Sequence, residues 1–267
     1  MADQRKQNII GVLVDAIDYG ATVSQVIAAA VDGRPMTVAA LAVHGVMTSH
    51  IDREFGARVN SFDLVVPDGQ PVRWAMNLIH RTALRERVYG PTLMLRVCDA
   101  AQRQGVGIYL YGSSEATVSR LRDTLQVKFP ELSISGISPS RFRSLSPAEK
   151  EDVVDRIRRS GARVTFVGLG CPRQEIWAYE YREALQMPII AVGAAFDFHA
   201  GVVKQAPAWM QAKGLEWLYR LRTEPRRLWR RYLLLNPWYL ALVVAQRTRL
   251  RRFDIIEADQ ITERSYG

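Results

Sequence analysis

Residues 163–192 read RVTFVGLGCPRQEIWAYEYREALQMPIIAV. The opening RVTFV is short, apolar and β-branched, which predicts a buried strand. Gly168-Leu169-Gly170 then lets the backbone turn sharply and approach a ligand closely. Residues 173–185 predict a helix, and the apolar run 189–192 predicts a second strand. Strand, glycine turn, helix and strand together form the βαβ unit of a parallel sheet.

The same alternation extends in both directions. Strands are predicted at 8–14 (NIIGVLV), 37–43 (TVAALAV), 63–66, 107–111 and 132–137. Helices are predicted at 23–31, 70–79, 92–103, 116–129 and 147–159, the last with a proline at its start. The fold class is therefore α/β: a Rossmann-like parallel sheet with helices on both faces. Ligands bind such sheets beyond the carboxyl ends of the strands. That rule selects the turns at Asp68, Gly112–Ser114, Gly168–Pro172 and Gly193–Asp197.

After about Gln205 the alternation stops. Residues 208–221 and 225–235 predict short helices, and 237–244 (PWYLALVV) form an apolar stretch. The reading divides the chain into a core at 1–205 and a C-terminal helical, basic, Arg/aromatic-rich appendage at 206–267, with no strand after it.

A length of 267 residues suits one large α/β domain with such an appendage. A 48% apolar and 24% charged composition excludes a disordered chain. The net charge of +9 points to anionic partners: nucleotides, nucleic acid or an acidic lipid surface. The excess is local. Arg220, Arg222, Arg226, Arg227, Arg230 and Arg231 cluster together, and Glu224 is the only acid between 220 and 252. Two cysteines, Cys98 and Cys171, are too few for a disulfide framework or a four-ligand zinc site, and both read as structural. The polar N-terminus and the lack of a spanning apolar run predict a cytoplasmic protein able to sit on a membrane surface.

The turns carry the candidate chemistry. Asp68, in Pro67-Asp68-Gly69, is either a turn former or a carboxylate able to take a proton from an acceptor hydroxyl. Gly168, Gly170, Pro172, Gln174 and Glu175 form a turn and helix start suited to a phosphate, although they match neither the Walker nor the GxGxxG pattern. Gln174 is an exposed first-turn residue or a ligand to a sugar or base. Glu175 complements the helix dipole. Gly112 and Ser113 open another helix, with a capping or a nucleotide role. Arg87 is a surface cation or a diphosphate clamp. His44 ends a strand facing the expected cleft. Asp197 and His199 are too few to hold a metal, and no Asp-x-Asp triplet occurs, so neither metal nor cofactor is expected. No G-x-S-x-G elbow supports hydrolase chemistry. No helix-turn-helix, RRM or zinc pattern supports nucleic-acid binding.

Seven motifs occur together in one order: NIIGVLVDAI (8–17), LVVPDGQPVRW (64–74), ERVYGPT (86–92), IYLYGS (108–113), VGLGCPRQEIW (167–177), VGAAFDFHAG (192–201) and APAWMQAKGLEWLYRLRTEPRRLWRR (206–231). In these the chain resembles the WecG/TagA/CpsF family, glycosyltransferase family 26. The resemblance implies an inverting, metal-independent transferase. Such enzymes move N-acetylmannosamine, its uronate or glucose from a UDP-sugar to a polyprenyl-diphosphate-linked glycan. It also implies Asp68 as general base, and Arg87 and Gln174 in the donor pocket. The C-terminal arginines would reach diphosphates and the inner face of the cytoplasmic membrane, and homo-oligomers are implied. Two departures stand out. Ala40 and Ala42 replace a common Thr-x-Asn, with His44 just beyond. Pro91-Thr92 stands where many members have an Asp. Either His44 takes over part of that role or the sugar differs, as in exopolysaccharide synthesis. A catalytically reduced UDP-sugar-binding protein is the alternative.

Overall fold

A computed structural model describes residues 6–267, apart from the side chains of Arg227 and Arg231. The chain opens with a two-stranded antiparallel hairpin, β1 (Lys6–Ile9) and β2 (Val12–Asp15). This corrects the single strand expected over 8–14. Ile10 and Gly11 both adopt positive φ, 56° and 88°, which closes a two-residue turn. The Asn8 side chain accepts from the Gly11 N–H at 2.7 Å. Apolar residues on both sides of the turn hid it, because Ile9, Ile10 and Val12 are all buried.

Then follow α1 (Tyr19–Asp32), β3 (Met36–Leu41), α2 (Val43–Ile51), α3 (Arg53–Asn60), β4 (Leu64–Pro67), α4 (Gln70–His80) and α5 (Gly90–Arg103). Next come β5 (Ile108–Gly112), α6 (Glu115–Lys128), β6 (Ile134–Ser138), α7 (Pro147–Arg159), β7 (Val164–Gly168), α8 (Arg173–Leu185), β8 (Pro188–Ala191) and α9 (Ala195–His199). Six strands pair in the order β4-β3-β8-β7-β5-β6, and every pairing is parallel. The expected strand at 37–43 ends at Leu41, since Val43 already belongs to α2. Helices α2 and α3 escaped the periodicity reading because each is short.

Successive strand residues point to opposite faces. Val38 and Ile190 join one apolar cluster with Val26, Val97 and Phe196, from α1, α5 and α9. Ala39 and Ile189 join another with Val46, Phe55 and Trp177, from α2, α3 and α8. Helices thus cover both faces, as a Rossmann-like sheet requires.

Beyond residue 205 the expected helix over 208–221 divides near Gly214 into α10 (Ala208–Ala212) and α11 (Glu216–Thr223). α12 (Pro225–Arg230) continues through a π-helical turn, Arg231–Leu235, into α13 (Asn236–Arg247). Tyr239, Leu242 and Val243 are buried in the cluster beneath α2 and α4. The last residues return over the core. The Ile256 N–H donates to Gly11 O at 2.9 Å, and its side chain is buried beside Gly11 and Gly56. The N–H groups of Arg264 and Ser265 donate to the Glu180 carboxylate at 2.7 and 2.8 Å. Among the described residues no helix is long and apolar enough to cross a membrane.

Ile256→Ala should lower unfolding free energy by about 2–4 kcal/mol, because it opens a cavity between the hairpin and α3. A urea titration should show a lower midpoint at unchanged slope. His199 gives a second test. Its Nε2 lies 2.9 Å from Pro91 O, and burial holds its pKa below 6.5 despite that contact. The folded chain therefore binds fewer protons there than the unfolded chain. Stability should fall as pH drops below about 6.5, and His199→Asn should flatten that slope in denaturant titrations.

Candidate functional site

The carboxyl ends of β3, β4, β7 and β8 open into one cleft of about 560 Å³. It also takes in the residue after β5 and part of the C-terminal segment. The cleft lies where the strand order reverses direction, the usual place for a ligand in an open α/β sheet. Of the residues singled out in the sequence, Asp68, His44, Arg87, Ser113, Gly168, Gly170, Gln174, Glu175, Asp197 and Arg220 line it.

Asp68 follows β4 directly. Its N–H donates to Leu41 O at 3.1 Å, fastening it to the neighbouring strand end. Its Oδ1 accepts from the Gly90 N–H at 2.6 Å, at the first residue of α5. The carboxylate is thus held by a helix N-terminus and remains half-buried in the cleft wall. His44 sits in the first turn of α2, also half-buried. Ala40 and Ala42 line the same wall, so the departure from Thr-x-Asn falls within the site. Pro91 lines it as well and begins α5 with Gly90.

Arg87 lies between two acids. Its Nη2 donates to Glu216 Oε2 at 2.9 Å, and its guanidinium stacks 4.1 Å over the Tyr89 ring. The Tyr89 hydroxyl donates to Glu216 Oε1 at 2.8 Å. Burial opposes the Arg87 charge, but Asp68 and Glu216 outweigh it and raise its pKa above the ordinary value. Burial, reinforced by Glu216 and Asp68, raises the Tyr89 phenol well above its usual range, so it stays a neutral donor. Across the cleft, Arg220 lies 3.7 Å from Glu224 and 5.6 Å over the Phe198 ring.

Gln174 and Glu175 are buried rather than exposed first-turn residues. Gln174 Oε1 accepts from the Gly170 N–H at 3.1 Å, and its Nε2 donates to Glu175 Oε1 at 2.9 Å. Together they brace the glycine turn after β7. Ser113 Oγ lies 3.4 Å from Asp197 Oδ1, joining the ends of β5 and α9. Ser114, not Ser113, caps α6. Gly112 and Pro172 stand outside the lining. A Cβ at Gly112 would meet the Gly168 backbone at 3.0 Å, so its smallness serves the packing of β5 against β7. Pro172 precedes α8 as its cap residue. Cys98 is buried in the core and Cys171 lines the cleft.

Arg222, Arg226 and Arg230 are exposed outside the cleft lining, and the side chains of Arg227 and Arg231 lie outside the described residues. Among the described residues no three His, Cys, Asp or Glu side chains gather as a metal cluster. Sequence reasoning missed Tyr89, Glu216 and Trp217. Tyr89 and Glu216 sit inside quoted motifs, yet nothing in one sequence pairs positions so far apart.

The pattern of the glycosyl transferase WecG/TagA/CpsF family matches residues 7–253. The chain is 30% identical to an N-acetylglucosaminyldiphosphoundecaprenol N-acetyl-beta-D-mannosaminyltransferase of Bacillus spizizenii, over 72% of this chain and 73% of that one. It is 28% identical to the enzyme of the same name from Bacillus subtilis strain 168, over 74% and 75%. The chain belongs to the WecG/TagA/CpsF family of glycosyltransferases.

Proposed function

We propose that the chain transfers a sugar from a UDP-sugar to a polyprenyl-diphosphate-linked glycan at the inner face of the cytoplasmic membrane. One observation carries this reading: a single cleft holds both a carboxylate fixed at a strand end, Asp68, and guanidinium groups able to meet a diphosphate, Arg87 and Arg220. The Bacillus relatives act on a diphosphoundecaprenol-linked N-acetylglucosamine, as their names state.

The reaction is a single displacement with inversion. Asp68 takes the proton of the acceptor hydroxyl. The oxygen bonds to C1 of the sugar as the bond from C1 to the diphosphate breaks, and UDP leaves with the bonding pair. Negative charge grows on the leaving diphosphate. Guanidinium groups and the amides of the braced turn after β7 stabilise it, with no metal assigned a part. Ala40 and Ala42 offer no side-chain hydrogen bond to the sugar, leaving His44 beside Asp68 as a polar group on that wall. Either His44 takes over part of that hydrogen bonding, or the donor is a sugar other than the relatives' N-acetylmannosamine, as suits exopolysaccharide synthesis.

Membrane docking falls to the C-terminal segment. Trp209, Trp229, Leu233, Leu234, Trp238 and Leu240 are exposed there, interleaved with exposed Arg222, Arg226 and Arg230. Apolar side chains among cations suit the interface of an anionic leaflet.

Asp68→Asn should cut kcat by about 10²-fold or more with the lipid-linked acceptor, while UDP binding persists. Near-normal turnover would remove Asp68 from the mechanism. A turnover panel of UDP-sugars with lipid-linked acceptor identifies the donor. For the membrane, deleting the segment is a poor test, because Tyr239, Leu242, Val243 and Ile256 belong to the core. The triple substitution Trp229→Ser, Leu234→Ser, Trp238→Ser should instead weaken sedimentation with anionic vesicles by about tenfold or more. Unchanged sedimentation would assign these side chains elsewhere.

A further inference from the structure

The two arginines that line the cleft among the described residues are both engaged by acids of the C-terminal segment. Glu216 holds Arg87 and Glu224 holds Arg220. These are the only two acids between residues 206 and 252. The Glu216 contact is the stronger one. Both carboxylate oxygens are used, one by Arg87 Nη2 at 2.9 Å and the other by the Tyr89 hydroxyl at 2.8 Å. The two charged side chains are only 11% and 13% exposed, so water screens the pair weakly. Two oxygens presented to a guanidinium and a phenol are also how a phosphate would meet them.

We infer that Glu216 is a built-in stand-in for a donor phosphate, and that the diphosphate reaches Arg87 and Tyr89 by displacing the Glu216 carboxylate. Glu216 is thus a further determinant of donor affinity. This rests on the UDP-sugar reading above. Glu216 begins α11, which also carries Trp217 and Arg220 into the cleft. Exchange of carboxylate for phosphate would release that helix start from the core wall. Donor arrival and repositioning of the Arg-bearing segment would then be one event. The exchange also explains why an acid persists in a cleft meant for an anion. Fixed negative charge beside Asp68 would otherwise oppose the donor.

Self-occupancy reduces apparent affinity by the fraction of molecules in which the contact is open. Glu216→Gln keeps the shape and can still accept a hydrogen bond, but removes the charge that competes with phosphate. UDP should bind this variant about tenfold more tightly than the wild-type chain by titration calorimetry. Tyr89→Phe removes a donor that the Glu216 carboxylate and the phosphate would share, so it should change UDP binding little in the wild-type chain but weaken it about threefold in Glu216→Gln. Thermal unfolding of each variant verifies that it is folded. UDP bound equally or more weakly by Glu216→Gln overturns the inference while leaving the UDP-sugar reading intact. Tightening in Glu216→Gln with no loss of UDP affinity when Tyr89→Phe is added to it reduces the effect to a through-space field and also overturns the exchange. UDP bound by neither the wild-type chain nor Glu216→Gln removes the donor reading and the inference together.

Discussion

A parallel sheet covered by helices on both faces leaves its strands little polar work to do along their length. Val38, Ala39, Ile189 and Ile190 alternate between two apolar clusters, and any charge placed there would need a buried partner. Polar side chains therefore gather where strands end and backbone groups still need partners. Asp68 shows the consequence. Its carboxylate satisfies the Gly90 amide at the exposed start of α5, so one contact both completes a helix end and fixes an acid in the cleft. Gln174 does the same for the Gly170 amide after β7. The site is an outcome of how the sheet finishes its hydrogen bonds.

Charge within that cleft is balanced at short range. Arg87 stands near Asp68 and against Glu216, and its raised pKa records both acids overcoming burial. A lone guanidinium so placed would suffer desolvation, and a lone carboxylate pair would repel. The arrangement tolerates an incoming diphosphate only if one acid yields. Asp68 is tied to β3 and α5 by the backbone contacts around it. Glu216 rides on a short helix that follows the break near Gly214, so it is the acid that can move.

Much of this was legible in the sequence, and the remainder was hidden for identifiable reasons. The strands of the parallel sheet, α7 and α8 followed from apolar runs and capping residues. The cleft followed from the rule for strand ends, and ten of the flagged residues line it. The hairpin at β1 and β2 was obscured because NIIGVLV is apolar on both sides of its turn. The burial of Gln174 and Glu175 was not visible, since a first-turn acid and amide read as solvent-facing until a neighbouring loop covers them. The Arg87–Glu216–Tyr89 contact was out of reach altogether. It joins the segment just before α5 to a helix more than a hundred residues later, and no local pattern encodes such a pairing.

The C-terminal helix supplies the last step. On α13, Tyr239, Leu242, Val243 and Gln246 recur at helical spacing and face the core, with Gln246 accepting from the Ile10 N–H and donating to Asn8 O. The opposite side carries Trp238, Leu240 and Val244, all exposed. A helix apolar around most of its circumference belongs either in a core or in a bilayer. At 12 residues α13 is too short to span one. With its inner side spent on the hairpin and α4, its outer side is suited to the shallow apolar zone beneath lipid headgroups. Such a placement would set the cleft, lined by Leu228, Tyr232 and Asn236 of the same helical run, close to the surface that carries a polyprenyl-linked acceptor.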